Sequence, residues 1–394
     1  MRYMYTFLTD SIFKKKIYII SLWYLITALA IVKILISGNF NNYLIFKFTF
    51  YSLLDQRNFF LPQPENFQHY NLYGPIFSLL IAPFAILPNW LGHTLWTIFN
   101  STILLIAIRK LPLPSGATLA IILIAAHENL TSILSSQFNP SMTAIILLTF
   151  SFIHQKKDFW AALMIVLGTF IKLYGIVGLA FFFFSKDKKK LILGLILWSI
   201  VVFVLPMFLS SPAFIIQSYK DWYIAVSEKN IMNSTLITDQ DVCLMGMVRR
   251  ISGNHSIQNW PFIVGGLVLF FLPYFRTNQF KETAFRLLLL SSTLIFTVIF
   301  STSSESPTYI IAFVGVAIWF VVQPKPIKSW QIALFIFALL LTSFSPSDIF
   351  PRYIRNEYIK PYSLKALPCV LIWFTIIYQM LTVDFKNYRN YAVE

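Results

Sequence analysis

The sequence is poor in charge, and in negative charge above all. Only 12% of its 394 residues are charged, and 16 acidic residues stand against 31 basic ones. Hydrophobic residues make up 57% of the chain, which is more apolar surface than a water-soluble domain can bury. This composition excludes an ordinary soluble protein and is typical of an integral membrane protein.

Several other features are scarce or missing. The two cysteines, Cys243 and Cys369, have no spacing typical of a metal or redox site. No metal motif is present, so we expect no cofactor and no metal ion. We find no heptads and no internal duplication, which argues against an inverted-repeat transporter. The basic residues lie in short clusters between apolar runs, so the net charge of +15 indicates membrane orientation rather than a nucleic-acid partner.

The apolar runs predict an all-α polytopic membrane protein with about ten transmembrane helices and both termini in the cytoplasm of a bacterium. Lys14, Lys15 and Lys16 precede the first run, and no small-residue cleavage site follows it, so we expect an uncleaved signal anchor in the inner membrane. A single domain over residues 1–394 is expected, with outer loops at 38–74, 210–259 and 343–365. The predicted spans are 17–36, 91–108, 117–134, 141–154, 191–209, 260–275, 287–300, 308–322, 330–341 and 366–381.

Two segments do not fit a simple crossing. Residues 75–87 would cover only about 20 Å as a helix, so we predict a half-inserted helix, with a strained full span as the alternative. Lys172 lies within an apolar run between two lysine clusters, at 156–157 and 186–190. A re-entrant hairpin that turns near Lys172, with bends at Gly168 and Gly175, would keep both clusters on the cytoplasmic side.

The first predicted outer loop is rich in amide and aromatic side chains. Amides can hydrogen-bond sugar hydroxyls, and aromatic rings can stack on sugar rings; the alternative is an interfacial aromatic belt. The candidate sugar-binding residues in this loop are Asn41, Asn42, Tyr43, His69 and Tyr73.

A set of short motifs, in order along the chain, resembles one family of membrane enzymes. The chain is similar to bacterial integral-membrane glycosyltransferases of family 87, in the GT-C superfamily, and most of all to their Bacteroidetes branch. The motifs that carry the resemblance are Asn41-Asn-Tyr-Leu-Ile-Phe46, His69-Tyr-Asn-Leu-Tyr-Gly-Pro75, Gln137-Phe-Asn139, Phe170-Ile-Lys-Leu-Tyr174, Ser304-Glu-Ser-Pro-Thr-Tyr309, Phe350-Pro-Arg-Tyr-Ile-Arg355 and Pro361-Tyr362.

The resemblance implies transfer of a hexose, mannose-like, from a polyprenyl-phosphate donor at the outer membrane face. The acceptor would be a glycan or a lipid, and the resemblance implies a mechanism that inverts the anomeric centre without a metal. The expected partners are this donor, the acceptor and membrane lipids. A transporter or flippase of a lipid-linked sugar is the alternative function.

Such a transfer requires a carboxylate that accepts the proton of the acceptor hydroxyl. Related enzymes carry an aspartate just after the first span, where this chain has Asn41 and Asn42, and amides cannot act as general bases. An inactive relative therefore stays possible as an interpretation. The candidate carboxylates are Asp55, Glu65, Glu128 and Glu305.

The phosphate of the carrier requires cations. The predicted outer loops offer Arg249, Arg250, Arg352, Arg355 and Lys360, with contact to lipid headgroups as the alternative role. Because a cation is costly inside lipid, Lys172 is also a candidate, with pairing to a carbonyl or buried acid as the alternative. The remaining candidate substrate-binding residues, with helix capping as the alternative for the first two, are Gln137, Asn139 and Tyr309.

Overall fold

The computed structural model describes residues 16–235 and 240–387, and every regular element within those ranges is helical. This confirms the predicted all-α class. The α-helices are α1 Lys16–Ser37, α2 Asn41–Leu54, α3 Phe77–Ala85, α4 Asn89–Arg109, α5 Ser115–Leu134, α6 Asn139–His154, α7 Asp158–Ile171, α8 Lys188–Val204, α9 Pro212–Ser234, α10 Leu244–Ser252, α11 Trp260–Phe271, α12 Thr283–Ile299, α13 Tyr309–Val322, α14 Ser329–Ala338, α15 Arg352–Ile354 and α16 Leu367–Thr382. Shorter 3-10 and π segments are Leu173–Phe184, Leu205–Phe208, Leu272–Phe275, Thr277–Gln279, Ser306–Thr308, Leu339–Phe344, Arg355–Ile359, Leu364–Ala366 and Phe385–Asn387.

Within residues 16–235 and 240–387, five helical segments are long and apolar enough to cross a membrane, namely α1, α4, α5, Lys188–Phe208 and Leu364–Thr382. In Lys188–Phe208 only 22% of the most apolar window is buried within the protein. Such an apolar exposed surface requires lipid around it, so the chain is a polytopic membrane protein. Each of the ten predicted spans overlaps a helix, and how many of these cross the membrane stays a prediction.

The chain divides into two compact units that are interleaved in sequence. The first unit comprises residues 27–107 and 133–231. The second unit comprises the described parts of residues 1–26, 108–132 and 232–394.

In the first unit the chain reverses at Lys172, whose backbone is extended between α7 and the 3-10 segment Leu173–Phe184. A Cβ added to Gly175 would lie 2.2 Å from the carbonyl carbon of Gly168, so the two arms touch backbone to backbone. Three residues further from the turn on each arm, a Cβ on Gly178 would meet the side chain of Ile165 at 2.8 Å. The arms are therefore antiparallel, as the hairpin prediction requires, and depth in the membrane stays a prediction.

The predicted outer loops contain more helix than the sequence suggested. The first holds α2, and the second holds α9 and α10. The predicted half-inserted segment is the nine-residue helix α3, about 14 Å long, which is too short to cross a bilayer by itself.

The second unit is organised around α12, α13 and α16. Close contact is possible because Gly315 has no side chain, and a Cβ there would lie 2.9 Å from the backbone oxygen of Ser291. Ser291 Oγ donates a hydrogen bond to the Gly315 oxygen at 2.6 Å, and Trp373 Nε1 donates to Ser292 Oγ at 3.0 Å. Small residues and interhelical hydrogen bonds of this kind hold helices together inside a membrane.

Candidate functional site

Four of the predicted substrate-binding residues meet in the first unit. Lys172 Nζ donates a hydrogen bond to Asn139 Oδ1 at 3.0 Å. The same ammonium lies 4.6 Å from the ring centre of Tyr174 and 5.7 Å from that of Tyr73. Tyr73 Oη in turn donates to Gln137 Oε1 at 3.3 Å. We call Tyr73, Gln137, Asn139, Lys172 and Tyr174 the Lys172 cluster.

The local chain path explains why these residues meet. Asn139 begins α6 and Lys172 follows the last residue of α7, so antiparallel packing of the two helices brings both to the same end. The N–H of Gly74 donates to the oxygen of Ile171 at 3.0 Å, which holds the end of the first predicted loop against the hairpin turn. A Cβ on Gly74 would lie only 2.1 Å from the oxygen of Phe170, so this approach requires glycine.

The Lys172 cluster combines a half-buried cation, two phenol rings and two amides. Asn139 is fully buried, and its Nδ2 has no hydrogen-bond partner in the structure. A cation and amide donors suit a phosphate or a sugar hydroxyl, and the ring faces favour the cation. Tyr174 was not among the predicted site residues, although it lies two positions after Lys172 in the same quoted motif.

The other predicted sugar-binding residues of the first unit contact the backbone. Asn41 exchanges two hydrogen bonds with the backbone of Gln68, at 2.7 and 3.2 Å. Asn42 Nδ2 donates to the oxygen of Ser135 at 2.8 Å, and the buried Tyr43 donates to the oxygen of Phe84 at 2.8 Å. These contacts connect α2 to neighbouring loops. His69 is exposed, with a left-handed backbone at φ 75°.

The two candidate acids of the first unit, Asp55 and Glu65, lie on the surface. Asp55 Oδ2 is 4.0 Å from Arg57 Nε, and both side chains are at least 60% exposed. Glu65 is exposed and accepts a long hydrogen bond from Asn66 Nδ2 at 3.4 Å. Both carboxylates are therefore exposed to solvent.

In the second unit, Glu128 is fully buried in α5 and pairs with Lys365. Lys365 Nζ donates to the two carboxylate oxygens at 3.1 and 3.2 Å. It also donates to Ser306 Oγ at 3.0 Å and lies 4.9 Å from the ring centre of Tyr309. We call Glu128, Ser306, Tyr309 and Lys365 the Lys365 cluster. The sequence indicated a buried acid at Glu128, but its partner lies 237 positions away.

Glu305 immediately precedes Ser306 and is half-buried at the start of the 3-10 turn Ser306–Thr308. The turn is held from two sides. Lys365 contacts Ser306, and Val242 N–H donates to the oxygen of Ser304 at 2.9 Å. Glu305 is thus a partly accessible carboxylate on a constrained segment.

The side chain of Arg249 is buried rather than exposed to solvent. Its guanidinium donates to Asp241 Oδ2 at 2.6 and 3.2 Å and to Asn259 Oδ1 at 2.6 Å, with another bond to the oxygen of Ile257. Burial raises the pKa of the Asp241 carboxyl, and the Arg249 hydrogen bonds oppose that rise. Nε and both terminal nitrogens are engaged, so this geometry gives Arg249 a structural role. Its neighbour Arg250 donates to the oxygen of Gln240 at 3.2 Å.

Arg352 and Arg355 lie one turn apart on the continuous helical segment 352–359, as their spacing predicted. Arg352 is exposed. Arg355 Nη1 donates to the oxygen of Ser347 at 2.9 Å and lies 3.4 Å from Asp348 Oδ1, while its Nε is buried without a partner. Arg355 therefore fastens the segment around residues 346–348.

The protein is therefore a polytopic membrane protein that places polar side chains among apolar helices. The sequence profile of glycosyltransferase family 87 matches residues 71–302, more than half of the chain, and the chain belongs to this family. It is therefore a glycosyltransferase. No curated protein matches the chain significantly. The match includes the whole Lys172 cluster and Glu128, whereas Glu305 and Arg352 lie outside it.

Proposed function

We propose that the protein transfers a hexose, mannose-like, from a polyprenyl-phosphate donor to a glycan or lipid acceptor at the outer face of a bacterial inner membrane. The observation that carries the proposal is the Lys172 cluster within the region matched by the family. It combines the chemical groups that a sugar phosphate requires.

The proposed donor site follows from the chemistry of the cluster. As the bond between the anomeric carbon and the phosphate oxygen breaks, negative charge grows on the departing polyprenyl phosphate. The Lys172 ammonium stabilises that charge best in a site sheltered from water. The rings of Tyr73 and Tyr174 present faces on which a sugar can stack, and the amides of Gln137 and Asn139 can orient its hydroxyls.

The position of the cluster along the hairpin supports the outer face. Lys156 and Lys157 lie just before α7, and Lys172 lies just after it. The 14 residues of α7 separate the two ends by about 21 Å. Because lysine clusters favour the cytoplasm, Lys156 and Lys157 are assigned to that side, and Lys172 at the tip of the hairpin is assigned to the outer half of the hydrocarbon core, which is about 30 Å thick.

For the proton acceptor we favour Glu305. Its carboxylate is half-buried on a braced turn, whereas Asp55 and Glu65 are solvated and Glu128 is bound to Lys365. The acceptor hydroxyl would attack the anomeric carbon from the face opposite the phosphate, and its proton would pass to a carboxylate acting as general base. Configuration would invert, and polyprenyl phosphate would leave.

The test is release of polyprenyl phosphate by purified protein supplied with a polyprenyl-phosphate hexose and candidate acceptors. We expect Lys172→Met to lower turnover at least about 100-fold, since this is the effect of removing one donor that stabilises transition-state charge. Lys220→Met, which removes an exposed lysine of α9, should retain parental turnover and controls for loss of charge.

Equal turnover in the Lys172 and Lys220 variants would contradict the proposed donor site. Movement of the lipid-linked sugar across vesicles without release of polyprenyl phosphate would instead indicate the transporter alternative, which family membership does not support.

A further inference from the structure

A cavity of about 700 Å³ opens in the second unit, away from both clusters in sequence. Its walls come from the segment between α13 and α14 and from the last turns of α16. Lys325, Lys328, Trp330, Phe374 and Tyr378 line it. The volume falls in the range of ligand-binding pockets in proteins.

Two buried glutamines that line the cavity, Gln331 and Gln379, belong to a network of hydrogen-bonded amides. Gln323 Oε1 accepts hydrogen bonds from Gln331 Nε2 and from Gln379 Nε2, the latter at 2.7 Å. Gln379 Oε1 accepts from Trp319 Nε1 at 3.1 Å. Because these amides satisfy one another, the wall is preorganised and does not depend on a ligand for its hydrogen bonds.

The mouth of the cavity carries an excess of positive charge. Lys328 is exposed and Lys325 is half-buried. The one acid in the lining, Asp384, accepts a hydrogen bond from Gln279 Nε2 at 2.9 Å and another from the N–H of Lys386 at 3.2 Å. The lining residues therefore include two lysines and one carboxylate.

An apolar stripe on α16 leads from the cavity along the helix. Leu371, Phe374, Tyr378 and Leu381 are all exposed, and their spacing of three and four residues places them on one helical face. The stripe lies within Leu364–Thr382, which has the length and composition of a membrane span. Trp330 and Tyr378 add two aromatic rings of the kind that membrane proteins place at headgroup level.

We propose that the cavity binds an anionic phospholipid, with its phosphate at Lys325 and Lys328 and an acyl chain along the α16 stripe. The lysines assign this end of the helices to the cytoplasmic side, where anionic lipids attract basic side chains. The site is thus separate from the donor site proposed above and takes a structural or regulatory lipid. The two lysines match the lipid phosphate, the α16 stripe matches an acyl chain, and Trp330 and Tyr378 match the headgroup level of the membrane.

The experiment compares lipid retention by the full chain in nanodiscs that contain phosphatidylethanolamine and phosphatidylglycerol. Native mass spectrometry would count each lipid carried by the parent, by Lys325→Gln/Lys328→Gln, and by Lys189→Gln/Lys190→Gln, a control pair of exposed lysines. We expect the first variant to lose about 30-fold in retained phosphatidylglycerol, since each of the two lysines that hold the lipid phosphate in the cavity contributes about 1 kcal/mol. The control and phosphatidylethanolamine retention should be unchanged.

Equal phosphatidylglycerol retention in all three proteins would overturn the proposal. A second measurement separates a lipid from a free anion. Inorganic phosphate should not raise the melting temperature of the parent in nanodiscs without anionic lipid. A rise that matches the effect of phosphatidylglycerol, and that disappears in Lys325→Gln/Lys328→Gln, would overturn the lipid in favour of a phosphate ion.

Discussion

Each of the two units holds a lysine among apolar helices, but different chemical groups contact the two lysines. Lys365 is buried and donates to the carboxylate of Glu128 at 3.1 Å. Lys172 is half-buried, donates to a neutral amide of Asn139 at 3.0 Å, and lies against two tyrosine rings. The carboxylate of Glu128 neutralises Lys365 within the fold, whereas an amide oxygen and two aromatic rings contact Lys172. We infer that Lys365 stabilises the structure and that Lys172 serves a ligand.

The largest expected effect is on stability, at Lys365. Lys365→Met would leave the buried Glu128 without its partner, and breaking one side of a buried ion pair costs about 3–5 kcal/mol in unfolding free energy. Denaturant unfolding in detergent would measure the loss. Adding Glu128→Leu to Lys365→Met should recover most of the stability, because both charges are then absent. Unchanged unfolding free energy in Lys365→Met would show that Lys365 does not stabilise the structure.

The next effect is on chemistry beside that pair. Glu305→Gln should lower turnover more than about 100-fold, the low end for general base catalysis, without changing the melting temperature. The matched surface control is Asp55→Asn. If Asp55→Asn loses activity and Glu305→Gln does not, then the base lies in the first unit. If both retain activity, Glu65 and Glu128 become the remaining candidates.

A smaller effect is expected for the third cationic region. Arg352→Lys and Arg355→Lys keep the charge but lose the planar fork that matches phosphate. Weakening of polyprenyl-phosphate binding by about 1.5–3 kcal/mol, the range for a charged hydrogen bond, would assign the pair to the carrier. Titration of the purified variants with polyprenyl phosphate gives the dissociation constants. Parental affinity in both would make the pair a headgroup contact.

The smallest effect tests the rings beside Lys172. Tyr174→Leu removes a ring face next to the ammonium, a contact of about 0.5–1 kcal/mol, so the donor should bind about two- to fivefold more weakly. Tyr174→Phe keeps the ring and should bind the donor as the parent does. Equal weakening by the phenylalanine and leucine variants would show that the hydroxyl, rather than the ring, is the relevant group.

The sequence was a good guide to the helices and to the chain reversal at Lys172. A long apolar run in lipid must form a helix, because its backbone groups can hydrogen-bond only to one another, and the predicted spans accordingly overlap helices. The lysine clusters at both ends of the Lys172 run predicted the hairpin. Short amphipathic or aromatic helices are harder to recognise, and α2 was assigned to a loop because its polar and aromatic residues follow no simple stripe.

Partners distant in sequence escaped prediction. Nothing at Glu128 indicates Lys365, since the two meet only after α5 and the chain before α16 have packed. Arg249 was expected to offer its guanidinium to a phosphate, but it is enclosed by Asp241 and Asn259. Sequence spacing alone does not distinguish a buried ion pair from a cation that faces lipid headgroups.

The contact between Gly168 and Gly175 sets the distance between the tip of the hairpin and the first residue of α7. Because the backbones of Gly168 and Gly175 touch, the two arms of the hairpin cannot slide past each other without a clash. The turn is therefore held at a fixed distance from the start of α7. A methyl group on Gly175, 2.2 Å from the opposite backbone, would wedge the arms apart and tilt the tip. Displacement of a catalytic group by about 1 Å can cost 100-fold in rate. The two glycines thus fix the position of the Lys172 ammonium relative to α7.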